Sequence, residues 1–357
     1  MRSAAASSSR ATTSRRSCTD VRGLAKLAPG PGRMDVTERS EPVAGRGQVV
    51  LDVLAVGICG TDLHIQAGEY PCAPPVTVGH EVCGRVAELG EGVDASWAAE
   101  RVVVETYFST CGRCAMCRSG RGNMCAQRRS IGSHVDGGCA PRLLVPAANL
   151  HRVPDGLDDA AASLSEPLAC VCNALLDPAV IGAGDAVLVI GPGPIGLLAA
   201  QVARGCGASV TVRGTARDAA RLGLAAALGF ATAVADEGDA PDADAPDAPD
   251  VVVECSGSGP GVAHGLAALR RRGTLVQLGL RGADLTVPWD LICHHELAIR
   301  TGFASTPASW RRAMRLLAAG SIELAPLVSA VVPLGEWEEA FDASRRGDGV
   351  KYVLDPR

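Results

Sequence analysis

The apolar positions of the chain fall into two textures. From about residue 21 they form short runs bounded by Gly and Pro, and Gln48–Ile58, Glu81–Leu89 and Arg101–Val104 read as strands. This half is predicted to be mainly β. From about residue 160, Val-rich segments recur at Ala186–Ile190, Ser209–Val212, Val251–Glu254 and Thr274–Leu278. They are nearly all apolar rather than alternating, and Ala/Leu-rich helical stretches or loops separate them. A strand with no polar face is buried on both sides, which predicts a parallel sheet covered by helices. Ala186–Ala203 carries no charge and is long enough to suggest a membrane span, but its prolines and glycines predict strand, turn and helix instead.

Two segments break these textures. Residues 1–20 are rich in Ser, Ala and Arg with a single acid, Asp20, and are expected to be a disordered extension; a transit peptide is the alternative. Residues 236–250 hold seven acids, three prolines and no base, which more than accounts for the net charge of −5. That composition predicts a solvated loop rather than a long helix. The remaining length of the 357-residue chain fits two or three domains at about 100–200 residues each.

Net negative charge and an aromatic content of 3% give no footing for nucleic-acid binding. A hydrophobic share of 47% with 20% charged residues fits a packed soluble protein with no membrane partner. The 14 cysteines change the picture most. They are too few for a disulfide scaffold of this length, and no apolar run opens the chain, so a reducing, cytoplasmic location is expected. Clustered thiols there point to metal or catalysis.

The densest cluster is Cys111-x-x-Cys114-x-x-Cys117 followed by Cys125. Four thiolates at these spacings can surround Zn²⁺ tetrahedrally and leave no open position, so the site would be structural. An iron–sulfur cluster would use the same four ligands. A second set is scattered: Cys59 in Gly-Ile-Cys-Gly-Thr-Asp, His80 and Glu81 in Gly-His-Glu, and Glu166 in Ser-Glu-Pro-Leu. Together they supply the S, N and O donors of an open catalytic zinc site. Such an ion would lower the pKa of an alcohol and favour hydride departure. Thr61 and His64 follow Cys59 closely and suit the passage of the alcohol proton to solvent.

Gly191-Pro-Gly193-Pro194-Ile195-Gly196 fits G-x-G-x-x-G between a predicted strand and helix, the arrangement that holds a dinucleotide pyrophosphate. The next strand lacks the terminal acid that binds the ribose diol of NAD. Arg213, Thr215 and Arg217 stand there instead and could contact a 2′-phosphate, so NADP is favoured over NAD.

In this order the motifs resemble the zinc-dependent medium-chain alcohol dehydrogenases, nearest the polyol (sorbitol/L-iditol) and threonine dehydrogenase branch. The resemblance implies an α/β chain: a GroES-like, mainly β catalytic domain over 21–165 completed by 303–357, and a Rossmann doubly wound parallel-sheet domain over 166–302. It implies that Cys59, His80 and Glu81 bind the catalytic zinc, with Glu166 binding directly or through water. It further implies that Cys111, Cys114, Cys117 and Cys125 hold the structural zinc, giving two ions per chain. Ser256 of the Val-Val-Glu-Cys-Ser-Gly motif and Gly279 join the cofactor contacts. A small-molecule alcohol or ketone and a homodimer or homotetramer are the expected partners. The expected activity is hydride transfer between a secondary alcohol, polyol or sugar-like, and a nicotinamide cofactor. The alternatives are a threonine-type amino-alcohol dehydrogenase and a non-catalytic zinc- and nucleotide-binding homologue.

One departure concerns the substrate. Sorbitol dehydrogenases follow the Phe matching Phe303 with Arg-Tyr, whereas here Ala304-Ser305 follow. Cys293-His294-His295-Glu296 is read as the approach to the strand Leu297–Thr301, not as a metal cluster. Cys170 and Cys172 are read as helix core, and the remaining unassigned cysteines, Cys18 apart, as small buried hydrophobes.

Overall fold

The computed structural model describes residues 20–235, 242–280 and 282–357. The expected extension thus lies almost wholly outside the described residues. Asp20 opens a strand, Asp20–Lys26, that pairs antiparallel with Met34–Ser40.

The second texture folds into a six-stranded parallel sheet. Its strands are β1 (Ala186–Ile190), β2 (Ser209–Gly214), β3 (Ala231–Val234), β4 (Val251–Glu254), β5 (Thr274–Gln277) and β6 (Ala298–Thr301). The spatial order is 3-2-1-4-5-6 and every pairing is parallel, as in a doubly wound nucleotide fold. The uninterrupted apolar runs are explained by two cores. Val187 and Val189 of β1 enter one cluster, and Ile190 enters another with Val252, Leu275 and Leu297. The described part of the acidic segment forms turns, where Asp244 pairs with Arg271 and Asp250 with Arg270. Residues 236–241 lie outside the described set.

The first texture forms a mixed sheet around Gln48–Gly57. That strand pairs antiparallel with Glu81–Leu89, with Arg142–Pro146 and with the last strand of the chain, Lys351–Asp355. Lys351–Asp355 in turn pairs parallel with Val328–Pro333, so the C-terminal segment joins this sheet. The larger core crosses the domain boundary: Val189, Val212 and Val253 share a cluster with Cys83, Val103, Trp310 and Val353. The helix Ser165–Leu176 packs against both Pro194–Gly205 and Pro307–Ala318 and ties the two halves together.

The cysteines outside the two predicted clusters bear out the expectation of burial only in part. Cys83, Cys139 and Cys172 are buried, but Cys72, Cys170, Cys206 and Cys255 are only partly so, and Cys293 is exposed. Cys293 sits in the last turn of the short helix Trp289–His294, whose core contact is made by Ile292.

Candidate active site and metal centres

Cys59 is the N-cap of the helix Gly60–Ala67. Its N–H donates to Asp62 Oδ2 at 2.9 Å, while Asp62 Oδ1 accepts from the N–H of Gly79 at 3.2 Å. One buried carboxylate therefore fastens the Cys59 turn to the turn before His80. Burial raises the Asp62 pKa, and His80 and the two N–H donors oppose the rise. Glu81 begins the neighbouring strand and pairs with Gly57. A Cβ on Gly57 would lie 2.2 Å from Glu81 Oε2, so only glycine leaves room for the carboxylate.

The result is a donor cluster. Cys59 Sγ, a His80 ring nitrogen and a Glu81 oxygen lie within 4.8 Å of one another. Burial opposes charge on His80, but Cys59, Asp62 and Glu166 raise its pKa well above the usual imidazole range. Lys351 Nζ donates to both Glu81 oxygens at 2.8 Å and to the carbonyl of Ile58 at 2.9 Å. Soft, borderline and hard donors meeting in a half-buried cluster fit a zinc ion with an open position.

Glu166 lies outside that cluster but lines the same cavity of about 380 Å³ with Cys59, His80, Glu81 and Thr61. Its Oε1 accepts from Thr106 Oγ1 at 2.8 Å and from the Cys170 thiol at 3.4 Å. Burial raises its pKa and His80 counters. Cys170 is thus a cavity residue, not core as expected: it stands one helical turn after Glu166 and shares its face. Thr61 Oγ1 is 3.7 Å from Cys59 Sγ. His64 does not line the cavity; it is half-exposed, and its Nδ1 bonds Glu69 at 2.7 Å. Asp62, Thr106 and Lys351 were not assigned roles from the sequence. Lys351 carried a signal, since it alternates with Val353 toward the interior of its strand.

The four cysteines form a second group within 4.8 Å. The strands Tyr107–Ser109 and Arg129–Ser130 pair at the base of their lobe. Within it the N–H groups of Cys111, Cys114 and Cys117 donate to Cys125, Cys111 and Cys114 sulfurs at 3.4–3.5 Å. Backbone donors at Arg113 and Cys114 lower the Cys111 thiol to about 6. The Cys117 N–H favours thiolate at Cys114 as well, but the sulfurs of Cys117, Cys111 and Cys125 outweigh it and push that thiol up to about 11, a crowding that one shared cation would relieve. Among the described residues these are the only two such groups, and Cys293–Glu296 forms none.

The cavity also reaches Pro194 and Ile195 at the start of the helix Pro194–Gly205. Gly191 has φ of 96°, and a Cβ there would meet the Ser256 N at 2.8 Å. Gly193 faces open space, and no side chain caps the helix it precedes. Uncapped N–H groups beside open space fit a pyrophosphate. Ser256 and Gly279 follow the C-terminal ends of β4 and β5, where doubly wound sheets place their ligands. After β2, Thr215 and Arg217 are exposed. Asp218 is turned back, accepting from the Thr215 N–H and hydroxyl at 2.9 and 2.8 Å.

The alcohol dehydrogenase GroES-like domain model matches residues 45–155, and the zinc-binding dehydrogenase model matches 194–319. Sorbitol dehydrogenase of Halalkalibacterium halodurans is 37% identical over 94% of this chain and 99% of its own. The chain belongs to the zinc-dependent medium-chain alcohol dehydrogenases. It is therefore an oxidoreductase that acts on alcohols with a nicotinamide cofactor. Another relative is D-arabitol-phosphate dehydrogenase of Enterococcus avium, 34% identical over 94% of this chain and 97% of that one. A zinc-binding dehydrogenase of Sinorhizobium meliloti 1021, solved bound to NADP, superposes with a TM-score of 0.86 at 34% identity, covering 95% of this chain and 100% of that one. No helix among the described residues is long and apolar enough to cross a membrane.

Proposed function

We propose that this dehydrogenase oxidises a secondary alcohol of the polyol or sugar-like class, prefers NADP, and carries two zinc ions per chain. The reading is carried by one observation: the Cys59–His80–Glu81 donors and the start of the dinucleotide helix line one cavity. Cys59, His80 and Glu81 would hold the catalytic zinc, and Cys111, Cys114, Cys117 and Cys125 the structural one. When bound, zinc would supply Lewis acidity and the nicotinamide a hydride acceptor. Thr61 relays the alcohol proton, its hydroxyl releasing its own proton as it accepts this one, and His64 with Glu69 passes a proton to solvent at the surface. Glu166 orients the alcohol from the opposite helix. Arg213, Thr215 and Arg217 receive the 2′-phosphate, since the strand before them ends without the acid that binds a ribose diol.

A screen of polyols, aldoses, threonine and simple secondary alcohols with both cofactors, read as reduced-nicotinamide absorbance, tests the substrate class. Cys59→Ser should abolish turnover with the fold intact, and near-full activity in that variant refutes the mechanism. NADPH should bind more tightly than NADH, and Arg213→Ala should weaken NADPH alone; equal or weaker NADPH binding by the native enzyme overturns the preference. A homo-oligomer belongs to the same reading: β6 is an edge strand with all four residues exposed, and light scattering checks it.

A further inference from the structure

We infer that Arg128 binds an anionic group, a carboxylate or a phosphate ester, carried by the alcohol substrate. The inference rests on the proposed reading of the cavity as an alcohol site. Three cations line that cavity: Arg128, Arg221 and Lys351. Lys351 is committed to Glu81 at 2.8 Å. Arg221 donates to the Gly349 carbonyl and lies 3.9 Å from Asp218. Among the described residues Arg128 makes no ion pair. Arg101, Arg121 and Arg142, also partly buried, each have a carboxylate within 3.6 Å.

Arg128 is nonetheless held in place. It leaves the four-cysteine lobe just before the strand Arg129–Ser130. Its guanidinium lies 4.9 Å from the ring centroid of Phe303 and 5.5 Å from that of Tyr107. Nη1 donates to the carbonyl of Asn123 at 2.7 Å, and Asn123 Nδ2 donates to the carbonyl of Phe303 at 2.9 Å. The arginine and the ring it covers are thus fixed to one frame. Only one of its five N–H donors is used in these contacts. Neither of the cavity's own carboxylates pairs with Arg128: Glu81 is held by Lys351, and Glu166 accepts on Oε1 from Thr106 and Cys170. A preorganised guanidinium with spare donors, stacked on aromatic faces, matches a carboxylate or phosphate in geometry as well as charge. Ala304 follows Phe303, so the next residue along the chain brings no charge to the ring, and Arg128 arrives from the lobe instead.

The test compares sorbitol 6-phosphate and gluconate with sorbitol. For the native holoenzyme, kcat/KM should favour at least one anionic probe by tenfold or more, and the phosphate and carboxylate arms separate the two sources. Arg128→Ala should lower the anionic-to-neutral ratio at least tenfold, and Arg128→Lys should restore part of it. A native preference for sorbitol, or an unchanged ratio in Arg128→Ala, overturns the inference. Calorimetric titration of the NADP-loaded enzyme with the same probes keeps the two proposals separate. If no alcohol is oxidised, the proposed function fails, while tenfold weaker anion binding by Arg128→Ala still upholds Arg128 and equal binding rejects it.

Discussion

Replacing Lys351 with Met should destabilise the zinc-free protein far more than the zinc-loaded one. Lys351 and Glu81 are 5% and 1% exposed, and the ammonium donates to both carboxylate oxygens at 2.8 Å. Two unit charges at that separation attract by about 6 kcal/mol at an effective dielectric constant of about 20. Desolvation offsets much of this in forming the pair, but removing one partner leaves the other charge buried and alone, at a cost of about 3–5 kcal/mol. The Ile58 carbonyl loses its donor as well. Lys351→Met should therefore lose about 3–5 kcal/mol in metal-free protein. Zinc at Cys59, His80 and Glu81 would give the carboxylate a second positive partner, so the loss should fall by at least half on loading. Adding Glu81→Gln to Lys351→Met removes the stranded charge and should recover most of the stability. Urea unfolding followed by tryptophan fluorescence, with and without zinc, measures all three. A metal-free loss below about 1 kcal/mol, the range of an exposed pair, or an equal loss with zinc, refutes the reasoning.

Two further outcomes follow. Glu254 is fully buried and accepts from Ser256 N, Gly257 N and Gln277 Nε2 at 2.6–3.0 Å and from the Ser256 hydroxyl, so Glu254→Gln sets a donor against donors. The mismatch costs about 1–3 kcal/mol at the loop beside Gly191; coenzyme affinity by NADPH fluorescence should fall severalfold with zinc content unchanged, and native affinity would sink the idea. Cys125→Ser removes one of the four lobe thiols. Metal analysis should find one zinc fewer per chain, with lower thermal stability; full zinc content in the variant contradicts a four-thiolate site.

Sequence and structure agree where the signal is local. β1, β4 and the strands Glu81–Leu89 and Arg101–Val104 match their predicted bounds, because each run is ended by a turn residue or a charge. Gln48–Ile58 ends one residue early, since the Ile58 N–H turns to the carbonyl of Tyr352, far along the chain. The metal donors were legible as residue types, but the parts that hold them were not. Lys351 is 270 residues from Glu81, and no local period links a strand lysine to a distant carboxylate. Cys170 was within reach of helical spacing from Glu166, yet an Ala-rich helix outweighed that cue. The core shared between domains also escaped, because Trp310 stacks on His151 and bonds Ser305 only once the C-terminal segment has returned.

The manner in which each buried carboxylate is satisfied sorts structure from chemistry. Asp62 is held by two backbone N–H groups, Glu254 by backbone and side-chain donors at four points, and Glu81 by an ammonium on both oxygens. Rotating any of these three breaks fixed bonds, so they act as struts. Glu166 is equally buried, yet its recorded bonds come only from a hydroxyl and a thiol, and both fall on Oε1. Burial raises its pKa, as it does for Asp62; Glu81 adds to the rise, and His80, Thr106 and Cys170 oppose it. With Oε2 outside those bonds and the cavity beside it, this carboxyl has a free oxygen to offer a further partner. In the proposed mechanism that is the requirement for meeting an alcohol and a water in turn, whereas Glu81, fixed by Lys351 on both oxygens, suits the unchanging task of facing one ion.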